Sequence, residues 1–200
     1  MSETLSLAFA FAWLFAVPAH SQEAAPDVLV QTISEEVIGE IRRDKALQAR
    51  DPSRIAALVE AKIVPHFDFR RITQIAVGPS WRRATPAQQE QLTQEFKTLL
   101  VRTYSSALAN YRDQKIEFKP LRAGAGADEV TVRSLIRQNG AEPIAVEYDL
   151  ARAGTHWKVF DVRIAGISLV ATYRSSFADE VRNNGVDGLI ALLSRKNQQI

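Results

Sequence analysis

Few residues of this chain are equipped for chemistry, and the most pointed of them is Asp161, set among Val159, Phe160 and Val162. Apolar neighbours withdraw water from a carboxylate and raise its pKa, which is how a general base is tuned to work near neutrality. A base of that kind in a greasy cone would suit a steroid-isomerase-like reaction on a hydrophobic substrate. The competing reading is an acid paired with an arginine at the edge of a sheet, because no second catalytic group accompanies it.

The remaining candidates are weaker. Gly166-Ile167-Ser168-Leu169-Val170 lacks the final glycine of a nucleophile elbow, so Ser168 reads as an N-cap for the helix around Tyr173. His66, between Pro65 and Phe67, reads as a boundary residue, and His156 as the surface start of a strand. There is no cysteine, and no histidine pair or carboxylate cluster has ligand spacing, so neither a metal site nor a cofactor is expected. The doublets Arg42-Arg43, Arg70-Arg71 and Arg82-Arg83 could meet phosphate or an acidic partner, but solvated faces are their ordinary use.

The elements that must position these residues centre on Gly154 to Phe177, where an apolar strand turns directly into an amphipathic helix. Under period-two alternation Trp157 and Val159 point one way and Phe160, Val162 and Ile164 the other, so the parity slips near residue 159 or 160. A bulge there, or burial on both faces, accounts for the slip. Ala165-Gly166 supplies a tight corner, and Val170, Tyr173, Phe177 and Val181 then follow at helical spacing.

Four strands are expected in succession: Lys115 to Leu121, Glu129 to Arg137, Pro143 to Arg152, and His156 to Ile164. Their separators are hairpin-type turns, so the pattern is an antiparallel meander. Its even positions are apolar, among them Ile116, Phe118, Val130, Val132, Ile136, Ile144, Val146, Tyr148 and Leu150. The odd ones carry Lys115, Glu117, Lys119, Glu129, Arg133, Arg137, Glu147 and Asp149, so one face is buried and the other wet.

Helices precede and follow this sheet. Leu29, Ile33, Val37 and Ile41 predict an amphipathic helix from Pro26 to about Arg50. Asp51-Pro52 signals a second helix, and Gly78-Pro79 stops a short third one through Ile72, Ile75 and Ala76. Thr85-Pro86-Ala87-Gln88 is a capping box before a long apolar stripe from Leu92 to Tyr111. Asn183-Asn184-Gly185 closes the Tyr173 helix, and a last helix restarts at Asp187.

At the other end, Leu5 to Val17 is almost wholly apolar and is followed by Pro18, Ala19, His20 and Ser21. This reads as a secretory signal peptide over residues 1–21, with residues 22–200 as one domain, although a buried apolar arm would share the pattern. The usual basic beginning is missing, the first basic residue being Arg42, and a misplaced start site would account for that. Removing residues 1–21 removes one acid, Glu3, and leaves 25 basic against 22 acidic side chains. That balance, with no polybasic run, argues against nucleic-acid binding. An exported chain with no cysteine must rest on its own core, which suits a bacterial periplasm.

Several of these segments together carry a resemblance. Pro65 to Phe69, Ala84 to Glu90, Tyr104 to Tyr111, Trp157 to Val162 continuing through Gly166 to Leu169, and Asn184 to Leu189 stand in the order and spacing of the toluene-tolerance family. The chain resembles that family from about residue 27 to 195. Its best-known member is the periplasmic phospholipid shuttle of the maintenance-of-lipid-asymmetry (Mla) pathway, and a hopanoid-associated branch is also similar.

The resemblance implies an α+β fold, a cone like that of nuclear transport factors, with N-terminal helices, a four-stranded antiparallel meander, C-terminal helices and an apolar pocket. It implies a non-enzymatic phospholipid carrier that preserves outer-membrane lipid asymmetry. The implied partners are an outer-membrane lipoprotein–porin complex and an inner-membrane ABC transporter with a lipid-binding ring protein. Oligomerisation is not signalled by heptads or a spare apolar stripe, so a monomer is expected. Periodicity and motif membership nominate Tyr104, Phe118, Val132, Val146, Tyr148, Val159, Val162, Leu169, Tyr173 and Phe177 as tail-pocket residues. Enzymatic turnover of a hydrophobic substrate at Asp161, and a structural adaptor between membranes, are the alternatives.

Overall fold

The structure, a computed structural model, describes residues 24–111, 114–122 and 126–199; the apolar segment read as a signal peptide lies outside them. Helix α1 (Pro26–Arg43) buries Val37 and Ile41 of the predicted stripe, while Leu29 and Ile33 are half-buried and Val30, one position off that line, is buried in their place. It ends sooner than the expected Arg50, because Asp44 adopts an extended conformation and its carboxylate accepts the amides of Ala46 and Leu47, starting the short helix α2 (Lys45–Gln48). Asp51 repeats the device for α3 (Pro52–Lys62), accepting the amides of Ser53 and Arg54.

After a single tight turn at Val64–His66 comes α4 (Phe69–Val77), which Gly78 stops at φ 65°. The predicted capping box forms reciprocally at the start of α5 (Pro86–Ala109): Thr85 donates its amide to Gln88 Oε1 at 2.9 Å, and Gln88 donates its amide to Thr85 Oγ1 at 3.2 Å. Gln88 Nε2 also donates to Asp187 Oδ1 at 2.7 Å, tying α5 to the last helix, α6 (Arg174–Gln199). Gly185, with φ 72° and ψ −175°, breaks α6 where the sequence predicts one helix closing and another restarting.

The sheet is a meander in the order β1-β2-β3-β4-β5, with β1 Lys115–Phe118, β2 Glu129–Arg137, β3 Ile144–Ala153 and β4 His156–Ile164. The fifth strand, β5 (Ile167–Ser168), exceeds the four expected; Ala165 and Gly166, both at positive φ, reverse the chain so that Ile167 and Ser168 pair back onto β4. Every pairing is antiparallel. The parity slip in β4 is a bulge: Leu150 faces Val159 and Asp149 faces Asp161, leaving Phe160 without a partner. Trp157, Val159, Val162 and Ile164 thereby share the inner side with Leu150, Tyr148 and Val146. Beyond β4, Phe67 forms a parallel bridge to Val159, and the Asp68 amide donates to the Val159 carbonyl at 2.9 Å.

Three apolar clusters result. One joins α4, α5 and α6 around Leu92, Phe96, Phe177, Leu189 and Leu193, with Phe96 edge-on to both Tyr173 and Phe177 at 5.0 Å. The second joins the inner sheet face to α1 through Val30, Val132, Leu150 and Trp157. The third packs α1, α2 and α3 against the end of α5. On the outer face Arg163 binds Glu147 and Asp149, Arg133 reaches Glu147 at 2.8 Å, and Arg137 reaches Glu117 at 2.7 Å. Asp149, expected on a wet face, is buried because Arg163 and the Thr131 hydroxyl answer its charge.

Candidate functional site

Where the three clusters meet, the side chains do not close the interior, and among the described residues the space left includes two apolar chambers. The first, of about 220 Å³, lies between the helices and the end of the sheet. Its walls are Val59, Ile63 and Val64 from α3 and the turn after it, Phe67, Phe69 and Ile72 leading into α4, and Leu100, Val101, Tyr104, Ser105 and Leu108 on α5; Asp161, Val162, Leu169 and Val170 complete it from β4 and β5. The second, of about 370 Å³, lies between α1 and the inner sheet face. Val30, Ile33, Val37, Ile38 and Ile41 form one wall, and Ile116, Ile136, Ile144, Tyr148 and Val159 form the other. Ile63, Phe67 and Leu108 border both chambers, so a thin partition of three side chains separates them.

The few polar groups facing the first chamber are satisfied by protein. Asp161 Oδ1 accepts the amides of Val162 at 2.8 Å and Val170 at 3.4 Å, and Oδ2 accepts the Ser168 hydroxyl at 2.5 Å. The arginine pairing expected for Asp161 is not formed among the described residues: its donors are those two amides and the hydroxyl, and Arg163, two residues along β4, binds Glu147 and Asp149 instead. Ser168 Oγ also accepts the Ala171 amide at 2.9 Å; the N-cap position of the tight turn Ala171–Tyr173 that leads into α6 is Val170 rather than the expected Ser168, which binds the turn's first amide from two residues before that cap. Burial, with Tyr173 beside it, pushes the Tyr104 phenol up to about 12. Burial also raises the phenol of Tyr148 and, with Lys158 nearby, lowers His66 below the ordinary imidazole range.

A cavity lined this way suits hydrocarbon. Among the described residues no three of His, Asp and Glu gather as a metal site, and no helix is long and apolar enough to cross a membrane. The decisive comparison is with protein families: the model of the MlaC protein family matches residues 31–195. This chain belongs to the MlaC family.

Two relatives and one solved structure place it further. The intermembrane phospholipid transport system binding protein MlaC of Haemophilus influenzae is 23% identical over 180 residues, covering 88% of this chain and 84% of that protein. Toluene tolerance protein ttg2D of Pseudomonas putida is 29% identical over 163 residues, covering 81% of this chain and 75% of that protein. The phospholipid-binding protein of Ralstonia solanacearum, solved in complex with a phospholipid, is 42% identical with a TM-score of 0.81, covering 88% of this chain and 98% of that one.

Within this MlaC-family fold the ten nominated pocket residues divide evenly. Tyr104, Val162 and Leu169 line the first chamber, and Tyr148 and Val159 the second. Val132 and Phe177 are buried in packed clusters, at 1% and 2% exposure, while Phe118 and Tyr173 pack against those clusters and Val146 is buried within β3. Periodicity identifies which side chains point inward; it does not say whether the space they point into is filled. Sequence reasoning missed the partition and the α3 wall. Ile63 carries the apolar periodicity of the second helix with Ile55, Leu58 and Val59, but nothing in that spacing shows that it faces open space, and Phe67 lies beyond the Val64-Pro65-His66 turn, where the proline interrupts the helical pattern.

The arginine doublets are mostly engaged inside the fold. Arg70 lies over Trp81 at 5.2 Å, Arg71 over Phe160 at 3.7 Å while bonding Glu129 at 2.6 Å, and Arg83 donates to Ser80 Oγ at 2.9 Å.

Proposed function

We propose that this chain is a non-enzymatic periplasmic carrier that encloses phospholipid acyl chains in the two chambers and shuttles them between outer-membrane and inner-membrane complexes. The observation that carries the reading is the pair of adjacent apolar chambers that share Ile63, Phe67 and Leu108 as lining, in a chain 42% identical to a protein solved with a phospholipid. The need for enclosure follows from solvation. A lipid with two long tails, crossing water bare, forfeits on the order of 20 kcal/mol at ~0.8 kcal/mol per methylene. The headgroup is costly to bury and stays at the opening.

In this reading Tyr104, Tyr148, Val159, Val162 and Leu169 touch the tails, together with the three partition residues. An outer-membrane lipoprotein–porin complex and an inner-membrane ABC transporter with a lipid-binding ring protein are the docking partners. Export by a signal peptide over residues 1–21 supplies the compartment. Asp161 serves as a structural acceptor, which is why the steroid-isomerase-like alternative is set aside.

Native mass spectrometry of the protein purified from periplasm without detergent, with lipid extraction from the same sample, tests the reading. A discrete added mass matching a phospholipid is expected. A mass equal to the bare polypeptide would overturn it.

A further inference from the structure

We infer that Arg42, held by Tyr111 at the opening of the second chamber, takes the phosphate of the bound lipid and so makes the carrier prefer phosphodiester lipids to uncharged ones with the same tails. The inference rests on the carrier reading and adds a headgroup contact to it.

The second chamber is apolar at one end and polar at the other. Val30, Val37, Tyr148 and Val159 enclose its inner part, and Ser34 turns its hydroxyl back to the Val30 carbonyl at 2.8 Å. The other polar wall residues are Asn110, Tyr111 and Gln114, just beyond α5, and Gln138, just beyond β2. Asn110 and Gln138 are solvent-exposed, as is Ile144 beside them in the wall, so this end is the opening.

Arg42 stands at that rim, on the last turn of α1 next to wall residue Ile41. Its Nη2 donates to Tyr111 Oη at 3.0 Å, the guanidinium lies 5.9 Å from the Tyr111 ring centre, and Tyr111 Oη in turn donates to the Gln114 carbonyl at 3.0 Å. Gln48 Nε2 fixes the backbone beneath by donating to the Arg42 carbonyl at 2.6 Å.

The neighbouring Arg43 is turned to Glu40 at 3.5 Å and to the Gly39 carbonyl. Arg42, by contrast, has no carboxylate within 4.0 Å among the described residues, although Tyr111 positions it. Its other N–H groups present the planar fork that matches a phosphate's oxygens. A phosphate there stays partly hydrated, so the charge is paired without the cost of full burial.

The test uses the full mature chain stripped of lipid and titrated in parallel with dioleoylphosphatidylglycerol, with dioleoylglycerol, which has the same tails and no phosphate, and with inorganic phosphate. Wild type is expected to bind the phospholipid about tenfold more tightly than the diacylglycerol, the scale of one charged hydrogen-bonded pair. Arg42→Gln should remove that advantage and leave diacylglycerol binding unchanged, which also shows that the fold is intact; Arg42→Lys should restore part of it. Equal loss for both lipids, or no change for either, would overturn the inference. So would inorganic phosphate binding as tightly as the phospholipid, because the ligand would then be a free anion. Failure of wild type to bind either lipid would instead bring down the carrier reading, and this inference with it.

Discussion

The Ser168 hydroxyl donates to Asp161 Oδ2 at 2.5 Å while accepting the Ala171 amide at 2.9 Å, so one side chain buckles the end of β4 to the start of the C-terminal helical segment. Asp161 is the other half of the buckle, and its two carboxylate oxygens answer one hydroxyl and two amides. Removing the carboxylate leaves those donors without an acceptor at the chamber wall. Asp161→Ala should therefore lower stability by about 1–3 kcal/mol in urea melts, while Asp161→Asn, which keeps an acceptor for the amides, should cost clearly less. A variant Asp161→Asn that folds normally yet loses lipid transport would contradict a structural role.

Leu108 and Phe177 separate cavity from core. Leu108 borders both chambers and is half-buried, whereas Phe177 is 2% exposed in the α4–α5–α6 cluster. Leu108→Glu should empty the protein of co-purified lipid with only a small change in thermal midpoint, because the carboxylate can reach water at the unfilled space. Phe177→Ala should cost about 3–5 kcal/mol, with the lipid content of the molecules that remain folded unchanged. Mass spectrometry and calorimetry on the two variants check the contrast. Val146 and Tyr173 are poorer places for a charge, since neither borders a chamber.

Gly185 supplies a backbone test. Its φ of 72° with ψ of −175° belongs to a region that residues with a side chain avoid, and a Cβ built there meets nothing within 4 Å. The cost of Gly185→Ala is therefore torsional strain rather than a clash, about 1–3 kcal/mol. Gly188 differs: a Cβ there would lie 2.3 Å from the Asn184 Cβ, so Gly188→Ala must push the two turns of α6 apart. Denaturant melts of both variants should show destabilisation, with a shifted helix signal for Gly188→Ala alone.

Acid and alkali should act through different residues. Hydrogen bonding to Arg163 and then Arg133 holds Glu147 below the usual carboxylate range, so its stabilisation is present above the unfolded value and is lost as the pH falls through the folded one. His66, lowered by burial and by Lys158, works in the same direction, since below about pH 6.5 the unfolded chain takes up a proton that the folded one refuses. Tyr104 has the opposite sense. With its phenol raised from 10.0 to about 12, its contribution is complete below the unfolded value and disappears as the pH rises through the folded one. Stability against pH should lose its acid slope partly in Glu147→Gln and its alkaline slope partly in Tyr104→Phe, and an ultraviolet titration of Tyr104→Phe should lack one late phenol.

Local chemistry made much of the fold readable in advance. The Thr85 and Asp51 caps, the Gly185 break, the bounds of β2 and β4 and the slip at residue 160 each depend on neighbours in sequence. The break at Asp44 was readable by the same capping logic but was hidden inside an unbroken apolar stripe. The two-residue β5 has no periodicity to show. The site was half readable, because Val132 and Val162 carry the same inward signal, and only the packing of α1, α4 and α5 over the sheet decides which of them meets empty space.

The coverage of β4 has a consequence for how these molecules treat one another. Its outer rim is met by Phe67 at Val159 and by β5 at Arg163 and Ile164, and the opposite rim of the sheet, β1, is four residues long with Lys115 and Glu117 exposed. Neither rim presents a long run of free backbone donors and acceptors, which is what edge-to-edge aggregation requires. A protein whose task calls for an unfilled greasy interior thus keeps that interior from being extended, strand by strand, into a neighbouring copy.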